Sequence, residues 1–131
     1  MAKVKQITAW AESTPGVLGR IGTALAEAKI NITAFTAYGT GGESPIRMQV
    51  SNPAKAKKIL QDLGFRVTEE EVVRLTVADK PGALGNIGKR LGDAHVNADY
   101  AFASVSKGNK KVDVIIGASD LVGAGKALRG L

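Results

Sequence analysis

Adding 66 to a position in the first half of this chain lands, without a gap, on a matching position in the second half. Pro15 meets Pro81, Gly16 meets Gly82, Leu18 meets Leu84, Gly19 meets Gly85, and Ile21-Gly22 meets Ile87-Gly88. The register continues through Leu25 and Leu91, Ala28 and Ala94, and Asn31 and Asn97. Such a chain encodes two copies of one supersecondary unit, each too small to bury a secure core alone. The expected division is residues 1–68 and 69–131, with Thr68-Glu69-Glu70-Glu71 read as a solvated acidic linker.

Within a copy the apolar periodicity changes in a fixed order. Val73, Leu75 and Val77 alternate with Arg74 and Thr76, the period of a half-buried strand, and Ile7, Ala9 and Ala11 echo them. After each Pro-Gly pair the spacing turns helical, with Leu18, Ile21, Leu25 and Ala28 on one face and Leu84, Ile87, Leu91 and Ala94 on the other copy's. β-rich segments follow at 30–38 and 96–105, then turn signals at Gly39-Thr40-Gly41-Gly42 and Lys107-Gly108-Asn109, then strands 46–50 and 112–116. A second helix opens at Asn52-Pro53, where Asn caps and Pro fits the first turn, and closes at Gly64. Phe65 to Thr68 opens a last strand.

Strand, helix, strand, strand, helix, strand is the order of a ferredoxin-like fold. The fold expected is therefore α+β, two βαββαβ repeats side by side, with helices on one face of an antiparallel sheet. In the second copy the last strand is expected to be missing or very short. Its second helix, 121–129, carries Gly123 and Gly125, each costing about 1 kcal/mol against Ala, and should be the weakest element.

Composition narrows the function classes. With 0 Cys there is no disulfide framework, thiolate metal site or cysteine nucleophile, and the cytoplasm is the expected compartment. Neither a signal peptide nor a membrane span is expected. The single histidine, His95, sits at a helix-to-strand junction, where a capping role is expected rather than general-base work. The glycines at 16, 19 and 22 and at 82, 85 and 88 have GxxGxxG spacing, not the GxGxxG of a dinucleotide loop. They read instead as a flat stripe for close helix packing. No metal, cofactor or catalytic residue is expected, and the chain is read as a non-enzyme.

The formal charge of +6 is uneven: residues 1–66 hold 9 Lys or Arg against 4 Asp or Glu, and residues 67–131 hold 9 against 8. Part of the excess is Lys55, Lys57 and Lys58, expected on the solvated face of the second helix.

Chemistry is most concentrated at the two strand-to-helix loops, Ser13-Thr14-Pro15-Gly16-Val17-Leu18-Gly19 and Asp79-Lys80-Pro81-Gly82-Ala83-Leu84-Gly85. First-turn N–H groups and the helix dipole attract a carboxylate. Gly16 and Gly82 let a ligand lie against the backbone. Asp79 can pair with an ammonium, so loop and acid together match a free α-amino acid. The alternative is that Ser13 and Asp79 only cap helices. Asn31 and Asn97, opening the second strand of each copy, either satisfy local backbone groups or face a ligand.

These stretches, with Gln6-Ile7-Thr8-Ala9-Trp10, Lys29-Ile30-Asn31-Ile32 and Asn52-Pro53-Ala54-Lys55-Ala56, resemble the tandem ACT domain proteins, regulatory modules that bind amino acids. The resemblance covers nearly the whole chain. It implies effectors held where a Pro-Gly loop faces a neighbouring unit, through backbone at Gly16, Val17 and Leu18 and at Gly82, Ala83 and Leu84. It further implies polar contacts from Ser13 or Asp79 and from Asn31 and Asn97. Copy one departs from the family in having Ser13 where Asp or Asn is usual.

The expected function is thus amino-acid binding by a regulatory protein, with a free amino acid and a regulated enzyme as partners. Two rivals are an RNA-binding module and a bare assembly module. The first suits the basic first half, but 46–50 and 112–116 carry none of the aromatics on which bases stack. The second would use an unpaired edge along Val72 to Ala78, left by the missing last strand, to form a homodimer.

Overall fold

The computed structural model describes residues 1–104 and 110–131. In chain order the elements are β1 (Ala2–Glu12), α1 (Val17–Glu27), β2 (Ile32–Ala37), β3 (Glu43–Val50), α2 (Pro53–Asp62), β4 (Arg66–Ala78), α3 (Ala83–Asp93), β5 (Tyr100–Ala103), β6 (Lys111–Gly117) and α4 (Leu121–Ala127). The strands are hydrogen-bonded in the order β2-β3-β1-β4-β6-β5, and this α+β architecture is the expected pair of ferredoxin-like repeats. The turn expected at Lys107-Gly108-Asn109, and the end of the segment expected at 96–105, lie outside the described residues.

The acidic triplet is not a linker. Thr68 to Glu71 lies inside β4, a continuous strand of 13 residues. Partners make the charges tolerable there: Lys5 and Lys57 reach the Glu69 carboxylate at 3.3 and 3.6 Å, and Gln6 Nε2 and Thr8 Oγ1 both donate to Glu70 at 3.2 Å. The Lys5 hydrogen bond, ahead of the Lys57 charge, holds the Glu69 carboxyl below its ordinary value.

Contacts divide the chain into Lys5–Glu70 and a second unit of Met1–Val4 with Glu71–Leu131. In the first, α1 and α2 bury Ile21, Leu25, Ala56 and Leu60 against Ile7, Ala9, Ile46, Met48 and Val67 of the sheet. The other side of β1 carries Gln6, Thr8 and Trp10, whose indole N–H donates to Thr68 Oγ1 at 2.9 Å. In the second unit α3 and α4 bury Ile87, Leu91 and Ala124 against Val73, Leu75, Val114 and Ile116.

No strand follows α4 among the described residues. The expectation of an unpaired edge along Val72 to Ala78 nevertheless fails, because β4 runs between β1 and β6. In the second unit the start of β1, grouped there as Met1–Val4, holds the place beside β4 that a last strand would fill.

The second strands start later than their apolar patterns suggest, at Ile32 and Tyr100. Ile30 and Val96 are spent instead on closing the preceding helices, each N–H bonding back to Leu25 O or Leu91 O at 2.9 Å. The residues just before them, Lys29 and His95, are the two non-glycine residues with positive φ among the described residues, at 58° and 55°. His95 is therefore the left-handed residue closing α3 and is exposed, as a capping role requires. Gly64 does the same for α2 at φ 94°.

The 66-residue register has slipped by two by β6, where Val73 pairs with Ile116 as Ile7 pairs with Met48, and the last helix keeps that shift. Asn52 caps α2, accepting from Lys55 N–H at 3.2 Å, whereas Asp120 caps α4, accepting from Gly123 N–H at 2.9 Å. A side chain at Gly123 would strike the Asp120 carboxylate, so this glycine makes room for the cap. α4 is the shortest helix, at 7 residues.

The stripe of glycines also departs from expectation. A Cβ at Gly19, Gly22, Gly85 or Gly88 would meet nothing within 4 Å, so these residues line open helix surface instead of a tight contact.

A left-handed Lys or His strains its Cβ by about 1 kcal/mol or more relative to glycine. Lys29→Gly and His95→Gly are each expected to raise unfolding stability by roughly that amount in urea titrations.

Candidate functional site

Both loops form the same local structure. Gly16 and Gly82 are the N-cap residues of α1 and α3, at φ 93° and 92°, and neither helix has a side-chain cap. Ser13 and Asp79 thus do not cap, and the plain structural alternative for them fails: they stand three residues too early. A tight turn replaces the cap, with Val17 N–H donating to Thr14 O and Ala83 N–H to Lys80 O, both at 3.3 Å. Arg20 and Asn86 then make the first full helical bonds, to Gly16 O and Gly82 O. Between them, the N–H groups of Leu18, Gly19, Leu84 and Gly85 have no acceptor among the described residues. Unpaired donors at the positive end of a helix favour an anion.

Each helix start borders a cavity within its own unit. The first, about 420 Å³, is lined by Ser13, Thr14, Gly16, Val17, Leu18 and Gly19 of the loop, with Ala37, Tyr38, Gly39, Ser44 and Ile46 opposite and the strand end Ala11-Glu12 alongside. The second, about 360 Å³, is lined by Asp79, Lys80, Ala83 and Leu84, with Val77 and Ala78, Ala101 to Ala103, Val112 and Val114. Leu18 and Leu84, which the helical spacing placed on the buried face, are 51% and 71% exposed and stand at the cavities. The core is made without them.

Of the ten residues singled out in the sequence, Ser13, Gly16, Val17 and Leu18 meet at the first cavity, and Asp79, Ala83 and Leu84 at the second. Gly82 shapes the turn without lining the space. Asn31 and Asn97 lie beyond the far ends of α1 and α3, each 11 residues or about 16 Å long. Asn31 N–H donates to Ser51 Oγ at 3.0 Å and its carbonyl accepts from Ser51 N–H at 3.0 Å, so this residue serves the backbone locally. Asn97 Nδ2 contacts Asp99 Oδ1 at 3.4 Å.

The opposite walls were not identified from sequence. Antiparallel pairing could have found one of them, because the end of β1 meets the start of β3, with Ala11 opposite Ser44. Tyr38, whose hydroxyl accepts from Arg47 Nη1 at 2.8 Å, follows from no local pattern.

The two carboxyls with shifted titration lie outside both cavities. One is Glu69 of β4; the other is Asp113, held below its ordinary value by the Thr76 hydroxyl and then by Arg74. Asp79 makes no side-chain bond to any described residue. Among the described residues no cluster of His, Cys, Asp and Glu could hold a metal, and no helix is long and apolar enough to cross a membrane.

The ACT domain pair model matches residues 2–120. The chain belongs to that family. Among solved structures, a protein from Bacteroides thetaiotaomicron superposes with a TM-score of 0.87 at 28% identity, over 97% of this chain and 87% of that one. The regulatory subunit of aspartate kinase from Thermus thermophilus gives 0.68 at 16% identity, over 97% and 95%. Its counterpart from Thermus flavus gives 0.66 at 16%, over 94% and 88%. At such identity the two kinase subunits speak for the fold alone. No curated protein matches the sequence.

Uncapped loops and capped helices respond differently to truncation. Asn52→Ala and Asp120→Ala are each expected to cost about 1 kcal/mol. Ser13→Ala and Asp79→Ala should stay within about 0.5 kcal/mol of the parent chain in the same urea titration.

Proposed function

We propose that this ACT domain pair is a non-catalytic sensor of a free amino acid, bound at the Pro-Gly loops. One observation carries the reading: at both helix starts, peptide N–H groups without an acceptor border a cavity of small-molecule size. A ligand carboxylate would take those donors and an acid would take its ammonium. Asp79 supplies that acid directly in the second repeat. Ser13 cannot, and the acid that lines the first cavity is Glu12 on the strand rather than a loop residue, so the second site is proposed as the stronger.

The chain is proposed to act in the cytoplasm on an enzyme, passing the state of its ligand sites to that partner. Its family of regulatory modules, and the kinase regulatory subunits that share its fold, support this. Neither supports a catalytic role of its own.

Self-association belongs to the same proposal, on the outer strand β2 in place of β4. An edge strand offers unpaired backbone groups, and Phe35 on β2 is 56% exposed beside an apolar groove of about 220 Å³ with Leu18, Ile32 and Met48. Light scattering should give a dimer that Phe35→Lys converts to a monomer; a monomeric parent chain at high concentration contradicts it.

Titration calorimetry against the twenty common amino acids tests the sensing role. At least one is expected to bind, and Asp79→Ala should weaken it about tenfold or more, since a charged hydrogen bond is removed. Ser13→Ala should weaken binding less. Failure of every amino acid to bind overturns the reading, and the reverse order of the two variants overturns the assignment of the stronger site.

A further inference from the structure

The two cavities are not copies of each other, and they differ both at the loop and at the facing strands. Judged by their pairing partners, Phe35, Ile46 and Met48 of the first repeat become Ala101, Val114 and Ile116 of the second. Pairing sets these side chains on the same side of the sheet: Phe35 stands opposite Met48 and Ala101 opposite Ile116, with Ala103 and Val114 next along the same face. The first cavity is bordered by the Glu12 carboxylate and by the hydroxyls of Ser13, Thr14, Tyr38 and Ser44. The second has Asp79 and Lys80 at the loop, and every other lining residue among those described is apolar.

We infer that the second repeat's cavity takes an α-amino acid with an aliphatic side chain, and that Ala101 sets the size it accepts. This rests on the amino-acid reading of the loops. Asp79 and Lys80, adjacent and of opposite charge, complement the two ends of a zwitterion, beside the free N–H of Leu84. Past them lie Val77, Ala101, Ala103, Val112 and Val114, with no polar side chain among the described residues to meet a charged or amide group on the ligand. A buried charge there would lose its hydration without a partner, whereas a branched hydrocarbon would lose only unfavourable contact with water. The small side chains on β5 keep this slot open. A phenyl ring at Ala101, as the first repeat carries at Phe35, would fill it.

The experiment compares leucine, isoleucine, valine, glycine, lysine, aspartate and 4-methyl-2-oxopentanoate by calorimetry on the full chain. It is repeated with Ala101→Phe and Ala103→Leu, each checked for folding by circular dichroism. One of the branched amino acids is expected to bind about tenfold or more tightly than glycine, the discrimination that methylene groups supply in an apolar pocket. Lysine and aspartate should be weaker by at least as much. The oxo acid, which lacks the ammonium, should bind as poorly as leucine does to Asp79→Ala. Ala101→Phe should abolish the preference for the branched side chain, and Ala103→Leu should reduce it if the bulkier variant fails to fold. Tight binding of lysine, aspartate or glycine that depends on Asp79 overturns the aliphatic assignment and leaves the sensing role standing. An unaltered preference in both wall variants overturns it equally. Absence of binding by any amino acid overturns the sensing role itself.

Discussion

At both helix starts the first-turn N–H groups meet no side-chain acceptor, and the rest of the site follows from that constraint. A proline fixes the approach to the turn, and a glycine at φ near 90° completes it in a region where a Cβ would be strained. The residue at the N-cap position is thereby one with no side chain, so the usual Ser, Thr, Asn or Asp acceptor is excluded by the same geometry that makes the turn. The polar residue three positions earlier, Ser13 or Asp79, is freed from capping. Helix starts elsewhere in the chain show the contrast: α2 and α4, which border neither cavity, carry Asn52 and Asp120 in direct contact with their backbone.

Exposure of Leu18 and Leu84 has the same origin. A helix whose first turn faces open space cannot bury the residue two positions after its N-cap, and the core clusters begin one turn later at Ile21 and Ile87. Val17 still packs against the first core, and Ile46 and Val114 belong both to a core and to a cavity wall, so it is the exposed leucine of each loop, not the whole loop, that stands clear of the packing.

The repeat, the strand and helix order, the α2 cap and the left-handed closure at Gly64 were all legible in the sequence, because each is a local pattern with one physical solution. β4 was misread because composition alone marks Glu69-Glu70-Glu71 as solvated, while the partners that seat them, Lys5, Gln6, Thr8 and Lys57, come from distant segments. The glycine stripe was misread because spacing reveals a flat surface but not whether anything lies on it. Asn31 and Asn97 repeat as faithfully as the loop residues do, yet a helix length separates them from the loops. Sequence periodicity reports equivalence between copies, not proximity within one. The cavity walls on β5 and β6 were hidden for the same reason, since only strand pairing brings them to the loop.

Met1 to Val4 groups with residues 71 to 131, beside β4. Residues 1 to 4 therefore have their native neighbours among residues far along the chain, and the second unit cannot close its sheet until those later residues are present. Closing so long a loop is slow compared with forming a helix or a hairpin. The first unit, needing only residues 5 to 70, can assemble while the start of its own strand is still waiting.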